Sequence, residues 1–256
     1  VSGGNEKTQF SISGSVFGQE GIVKGSDYNR YSLVSSLNHK ISEKFDVSFS
    51  TTMSKLATER KDSGGGNRGN SMISAAVSAP PTLTPFNDDG SYPVLSTAYP
   101  FIATDIRNPI NFINEQNSEI KANVVLANVA VSYHITPDLQ LRIAGGIENR
   151  DERTDTYTST KFFASNGSAN IFAGQFTSLL NENTLSYNKE FDKHRISAVV
   201  GFTYQDFLNT GVSAGGTGFL SNNFETYDLG AAATPNVPGS SYTKSVLLSY
   251  LGRVNY

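Results

Sequence analysis

Apolar and polar residues alternate along most of this chain, and each alternating run reads as a strand with one greasy and one polar face. In residues 8–19, Phe10, Ile12 and Val16 share one side while Ser11, Ser13 and Ser15 share the other. Residues 28–40 place Tyr31, Leu33 and Leu37 together, and a third run sets Phe45, Val47, Phe49 and Met53 against Ser48, Ser50, Thr52 and Ser54. The same rhythm returns in residues 119–133 (Val125, Val129, Val131, Tyr133) and 139–148 (Leu139, Leu141, Ile143, Ile147). It continues through residues 175–189 (Leu185, Tyr187), 195–207 (Ile196, Val200, Phe202, Tyr204) and 242–256 (Val246, Leu248, Tyr250, Val254). These runs exceed the roughly five or six residues usual in soluble sheets. Their polar faces carry Ser, Thr, Asn and Gln, so water can fill that side.

The connections alternate as well. Short polar turns, Ser42-Glu43-Lys44, Thr136-Pro137-Asp138 and Asp192-Lys193, take turns with long segments rich in Gly, Asn, Ser and Pro. Only a closed sheet satisfies every backbone group in lipid, and outer-membrane barrels combine tight periplasmic turns with long outer loops. The pattern predicts an all-β fold. It is an antiparallel transmembrane β-barrel segment of about eight long strands in an open curved sheet, with short periplasmic turns and long extracellular loops. Residues 1–256 form one partial barrel domain, in which residues 60–118 are the longest extracellular loop. Within that loop residues 71–79 read as a short helix stopped by Pro80-Pro81, and Asn87-Asp88-Asp89-Gly90 as a turn. Residues 150–174 and 210–241 read as shorter loops on the same side. Tyr133, Tyr187 and Phe191 sit near the tight turns, where an aromatic girdle is expected.

Composition narrows the function. A formal charge of −3 offers no basic field for a phosphate backbone, so nucleic acid is not an expected partner. The chain has no cysteine, hence no disulfide framework and no thiolate metal site. No apolar run reaches the roughly 18 residues of a spanning helix, but strands that show lipid every second residue escape that test. The histidines, His39, His134 and His194, lie beside three separate tight turns and offer no shared pocket to a hydrolase. The run from Gly64 to Asn70 lacks the Gly-Lys-Ser or Gly-Lys-Thr ending of a phosphate loop. Asn87-Asp88-Asp89-Gly90 lacks the spaced acidic series of a calcium loop. The charged stretch from Glu148 to Arg153 marks where a strand leaves the membrane. No catalytic, cofactor-binding or metal-ligating residue is expected, and no enzyme activity.

What remains is binding. Ring faces pack on the C–H groups of sugars while hydroxyls need hydrogen bonds, so loop aromatics are the candidates for contact with substrate or partner. They are Tyr92, Tyr99, Phe101, Phe112, Tyr157, Phe162 and Phe163.

The stretch Gln19-Glu20-Gly21-Ile22-Val23-Lys24-Gly25-Ser26-Asp27-Tyr28-Asn29-Arg30-Tyr31-Ser32-Leu33 resembles the first barrel hairpins of the SusC/RagA family of TonB-dependent transporters. Phe86-Asn87-Asp88-Asp89-Gly90-Ser91-Tyr92, Asn108-Pro109-Ile110 and Ser249-Tyr250-Leu251-Gly252-Arg253-Val254-Asn255-Tyr256 follow in the family's order. The resemblance implies a bacterial outer-membrane importer of glycans, oligosaccharides or peptides. Such an importer has a plug within a 22-stranded barrel, a SusD-like surface lipoprotein as lid, and energy delivered through TonB at the plug. Lacking plug and TonB box, the chain reads as an internal slice of that barrel in contact with outer-membrane lipid. The alternative is a complete small barrel of about eight strands, an adhesin or envelope stabiliser.

Overall fold

The computed structural model describes residues 1–61, 69–101 and 106–256. Its strands are β1 (Ser2–Gly4), β2 (Thr8–Glu20), β3 (Asp27–Lys40), β4 (Phe45–Glu59), β5 (Gln116–Thr136), β6 (Leu139–Thr158), β7 (Ser168–Phe191), β8 (His194–Thr217), β9 (Thr234–Pro235) and β10 (Gly239–Asn255). All pair antiparallel in one sheet, in chain order from β1 to β8 and then β10, with the short β9 also beside β8. No pairing among the described residues joins β2 to β10. The sheet is open, and the closed eight-stranded barrel weighed above is not the architecture observed.

Register sorts the two faces, because directly paired residues point the same way. Phe10, Leu37, Phe49 and Val129 form one row across β2 to β5, and Tyr187, Ala198 and Val254 another across β7, β8 and β10. This apolar face is open to its surroundings, with Phe49 at 39% and Val129 at 48% exposure, as a lipid-facing band requires. The opposite face carries Ser11 bonded to Ser36, Ser32 bonded to Ser54, and Arg142 facing Glu182 at 3.7 Å. Polar residues do stand on the apolar face, among them the register partners Ser35 and Thr51 and one hydrogen-bonded pair. Asn181 and Asn183 lie on the apolar face, register-paired with Gly145 and Ile143. Asn183 Nδ2 donates to Asn181 Oδ1 at 2.7 Å, and Asn181 Nδ2 to the Ala144 carbonyl at 3.3 Å, so they satisfy part of their own demand.

The tight turns fall where the sequence puts them. Asp192 holds φ 55°, a left-handed conformation that Asp tolerates, and Leu139 N donates to Thr136 Oγ1 at 3.1 Å. A fourth turn escaped sequence reading: Asn5 Oδ1 accepts from Lys7 N and Thr8 N at 2.9 and 2.8 Å and folds β1 back on β2. Its Asn-Glu-Lys sequence parallels Ser42-Glu43-Lys44, which was the available signal.

Four strands are clearly longer than expected, β5 by three residues at each end. β6 runs on to Thr158, β7 starts at Ser168 and β8 ends at Thr217, which shrinks the loops read as 150–174 and 210–241 to 159–167 and 218–238. Hydrophobic alternation stops at the edge of the lipid band, but the hydrogen-bond ladder does not. Beyond the band, β6 keeps its strand form with pairs two residues apart on one face, Arg150 with Glu152 and Arg153 with Asp155. The stretch from Glu148 to Arg153 therefore lies within a strand that continues past the membrane.

Among the described residues, two packed clusters sit at the extracellular end, in the loops and the strand ends beside them. One joins Met72, Ala75, Phe112 and Phe162, with Val23 and Ile113 against it, and the other joins Tyr157, Ala169, Phe219 and Ala232.

Candidate functional site

The loop between β4 and β5 is closed at its root by Arg60 N donating to the Ser118 carbonyl at 2.8 Å. Beside it, Lys61 Nζ donates to the Gln116 carbonyl at 2.7 Å. Burial holds the Lys61 pKa below its ordinary value, against the opposing pull of Glu59 and Glu225. Within the loop, helices α1 (Met72–Ser78), α2 (Leu95–Ala98) and α3 (Pro109–Glu115) replace the largely structureless connection expected. The expected helix at 71–79 is α1, with Ser71 and Ala79 as its caps. α3 begins as Asn-Pro sequences often do: the Asn108 side chain accepts from Ile110 N at 3.0 Å and Pro109 occupies the first turn. Of the glycine-rich run Gly64 to Asn70, residues 64–68 lie outside the described residues.

α3 ties this loop to the one between β6 and β7. Asn111 Nδ2 donates to the Lys161 carbonyl and its Oδ1 accepts from Phe163 N, both at 3.0 Å. Glu115 accepts from the Tyr92 hydroxyl at 2.7 Å and from Ser159 Oγ. Burial, with Glu115 second, raises the Tyr92 pKa. Phe112 meets Phe162 edge to face at 5.2 Å, and the Arg107 guanidinium lies over the rings of Phe162 and Phe163 at 5.7 and 5.3 Å.

These contacts wall a cleft of about 510 Å³ lined by Asp89, Tyr92, Val94, Asn108, Lys161 and Phe163 among others. The turn at Asn87 to Gly90 forms one lip: Gly90 adopts φ 80° and Asp89 Oδ1 accepts from Ser91 N and Oγ at 2.9 and 2.6 Å. Those bonds, the hydroxyl first, hold the Asp89 carboxyl below its usual pKa. The Asn108 and Asn111 amides and the Tyr92 hydroxyl are spent on the loop's own structure. Ring faces, exposed backbone and the charges of Asp89 and Lys161 are what the cleft offers a ligand.

The seven aromatics singled out from the sequence divide three ways. Tyr92 and Phe163 open onto the cleft. Tyr99 and Phe101 meet edge to face at 6.2 Å on another corner, with Phe101 85% exposed. Phe112, Phe162 and Tyr157 are buried, at 5%, 7% and 7% exposure, and pack the loop cores. The Tyr157 hydroxyl donates to Asn222 Oδ1 at 2.6 Å, tying β6 to the loop before β9. Lys161 and Asn111 are additions from the structure, since neither stands in a motif. The histidines remain apart at the periplasmic end: His39 meets Thr8 at 2.8 Å, His134 meets Asp46 at 2.7 Å, and His194 meets Tyr256.

No protein-family model matches the chain. TonB-dependent receptor P3 of Formosa agariphila is 30% identical over the whole chain, which covers 26% of that receptor. TonB-dependent receptor P26 of the same organism is 26% identical, again over the whole chain and 26% of the receptor. The chain thus spans about a quarter of the length of the curated relatives it matches. Among solved structures, the RagAB peptide importer in its closed-closed state superposes with a TM-score of 0.83 at 21% identity, over 100% of this chain and 29% of that one. Fold and likeness define the wall of an outer-membrane barrel. Over its whole length the chain is similar to a barrel segment of TonB-dependent receptors, as the resemblance read from the sequence implied, and its place is the bacterial outer membrane.

Proposed function

We propose that the chain, as one partial barrel domain with residues 60–118 as its principal extracellular loop, forms part of the wall and outer mouth of a TonB-dependent importer of glycans, oligosaccharides or peptides. It acts with a SusD-like surface lipoprotein, and carries out no bond chemistry of its own. The observation that carries this reading is the cross-braced loop cluster at the extracellular end, where Asn111 and Glu115 join two loops around an open cleft. Loops of this size persist in compact proteins chiefly when they bind something. Fold likeness to an importer supports the same reading. Tyr92, Phe163 and the exposed Phe101 are the proposed contacts with substrate or lipoprotein.

The test is removal of residues 69–115 from the full-length receptor. Loop closure depends weakly on length, so heat-resistant migration of the barrel should survive. Growth on the cognate polymer or peptide, and capture of the lipoprotein, should fall sharply. Normal import by the shortened receptor would end the transport role of this segment.

A further inference from the structure

The inward face carries a hollow at the end of the sheet opposite the cleft. It has a volume of about 320 Å³ and lies across β3 to β7. Asn38 and Ser48, on its rim, stand two and three residues from the periplasmic ends of β3 and β4, which is about 7–10 Å along the strands. Register builds the hollow from small residues edged by polar ones. Ser48, Ala130, Ala144 and Glu182 form one row from β4 to β7, and Ser50, Asn128, Gly146 and Leu180 form the next. Ala130, buried at 5% exposure, and Ala144 are the floor. Asn38, Ser48, Ser50 and Asn128 edge it toward β3, while Arg142, Leu180 and Glu182 close it on the β6 and β7 side. Phe49 and Val129 lend only backbone, because their side chains point outward.

The rim groups are unspent. Among the described residues, no hydrogen bond engages the side chains of Asn38, Ser48, Ser50 or Asn128, in contrast to the amides of the outer cleft. Gly146 sets the place of one of them. A Cβ there would meet Asn128 Oδ1 at 2.6 Å, so the amide lies over the space that the glycine leaves. The charges nearby are paired instead: Arg142 with Glu182 at 3.7 Å, Asp46 with His134 at 2.7 Å and Lys40 with Glu43 at 3.7 Å.

Such a surface suits a neutral sugar ring. An Asn amide presents donor beside acceptor and a Ser hydroxyl does both, which matches neighbouring sugar hydroxyls that also donate and accept. Ala130, Ala144 and Leu180 meet the C–H face of the ring. The volume lies at the low end for ligand sites, enough for a single sugar unit. A charged solute finds no free counter-charge here, and desolvating its charge without one is costly. No ring among the described residues faces the hollow, so its grip is weak. Passage requires that, since a site along a path must bind well enough to fill and weakly enough to empty.

We propose that this hollow is an exit-side station that binds one neutral sugar unit through Asn38, Ser48, Ser50 and Asn128, with Gly146 as the residue that positions Asn128. Its role as a station rests on the transport reading, whereas its occupancy by sugar does not.

The experiment uses the full-length receptor in nanodiscs, with maltose as the probe, triglycine and glucuronate as comparators, and saturation-transfer NMR as the readout. Asn128→Ala and Ser50→Ala should each weaken maltose binding about fivefold, the effect of losing one hydrogen bond between uncharged groups. Gly146→Ala removes no polar group but displaces the Asn128 amide, and should weaken binding as much. Asn209→Ala, at an inward-facing amide of β8 outside the hollow, should not. If Gly146→Ala fails to assemble, Asn128→Ala and Ser50→Ala decide the matter. This segment has no cysteine of its own, so Ser50→Cys reports access, and its thiol should react with N-ethylmaleimide in cells carrying the receptor. A thiol that never reacts would mean that another part of the receptor fills the hollow, and would overturn the proposal. So would unchanged maltose binding in both Asn128→Ala and Ser50→Ala, or triglycine or glucuronate binding that depends on Asn128 as strongly. Maltose binding that depends on Asn128, in a receptor that imports normally without residues 69–115, keeps the site and discards the transport reading.

Discussion

Val129 and Asn128 are neighbours in β5 that face opposite ways. Val129 stands in the row with Phe49, in lipid, while Asn128 shares its row with Ser50 and Gly146 on the inner face. An arginine in place of Val129 should cost on the order of 2–4 kcal/mol near the midplane. In place of Asn128 it should cost much less, since water reaches that side. The yields of heat-resistant barrel from Val129→Arg and Asn128→Arg in the full-length receptor measure the difference, and equal losses would reverse the assignment of faces. At this scale the sequence was legible where one residue's polarity follows its face. It was not legible at Asn181 and Asn183, whose place on the apolar face rests on bonds to each other and to a carbonyl of the neighbouring strand. Nor did it separate Phe112 from Phe163. Both are loop phenylalanines, and only the packing of α3 against the loop after β6 buries the first and leaves the second on the cleft.

Among elements, the strands were readable and the long loop was not. Alternation over five or more positions repeats one signal many times, so the strand cores were located even where their ends were misjudged. α2 and α3 are four and seven residues long. Helices so short draw their stability from tertiary contacts rather than from periodicity. α3 depends on Phe112, wedged among Met72, Ala75 and Phe162. Phe112→Ala should cost the loop fold about 3–5 kcal/mol, loosening the cleft but not the sheet. Limited proteolysis should then cut between β4 and β5 faster, with heat-resistant migration unchanged. A loop as protease-resistant as before would show that the cluster does not hold it.

For the whole molecule, the open sheet is the governing fact. β10 is exposed along its entire length, and the outer edge of β2 is covered only by the three residues of β1. Unpaired N–H and C=O groups on such edges recruit other strands. In lipid they are costlier still, since no water satisfies them. The 256-residue chain expressed alone and refolded in detergent should therefore associate, appearing as broad oligomers by size-exclusion chromatography. A heat-modifiable monomer would mean that the edges find each other.

The chain's own sequence determined the period of its strands, the face each side chain takes, the tight turns and the outer-membrane setting. All of these are local consequences of alternation, turn chemistry and the need to satisfy the backbone in lipid. Tertiary structure alone decided how far β6 to β8 rise beyond the membrane, because ladder bonds and pairs such as Arg153 with Asp155 sustain a strand after hydrophobic alternation has ended. It also decided the cleft. Asn111 bonds the backbone at residues 161 and 163, about 50 positions away along the chain. Contacts so distant in sequence leave no periodic trace in it.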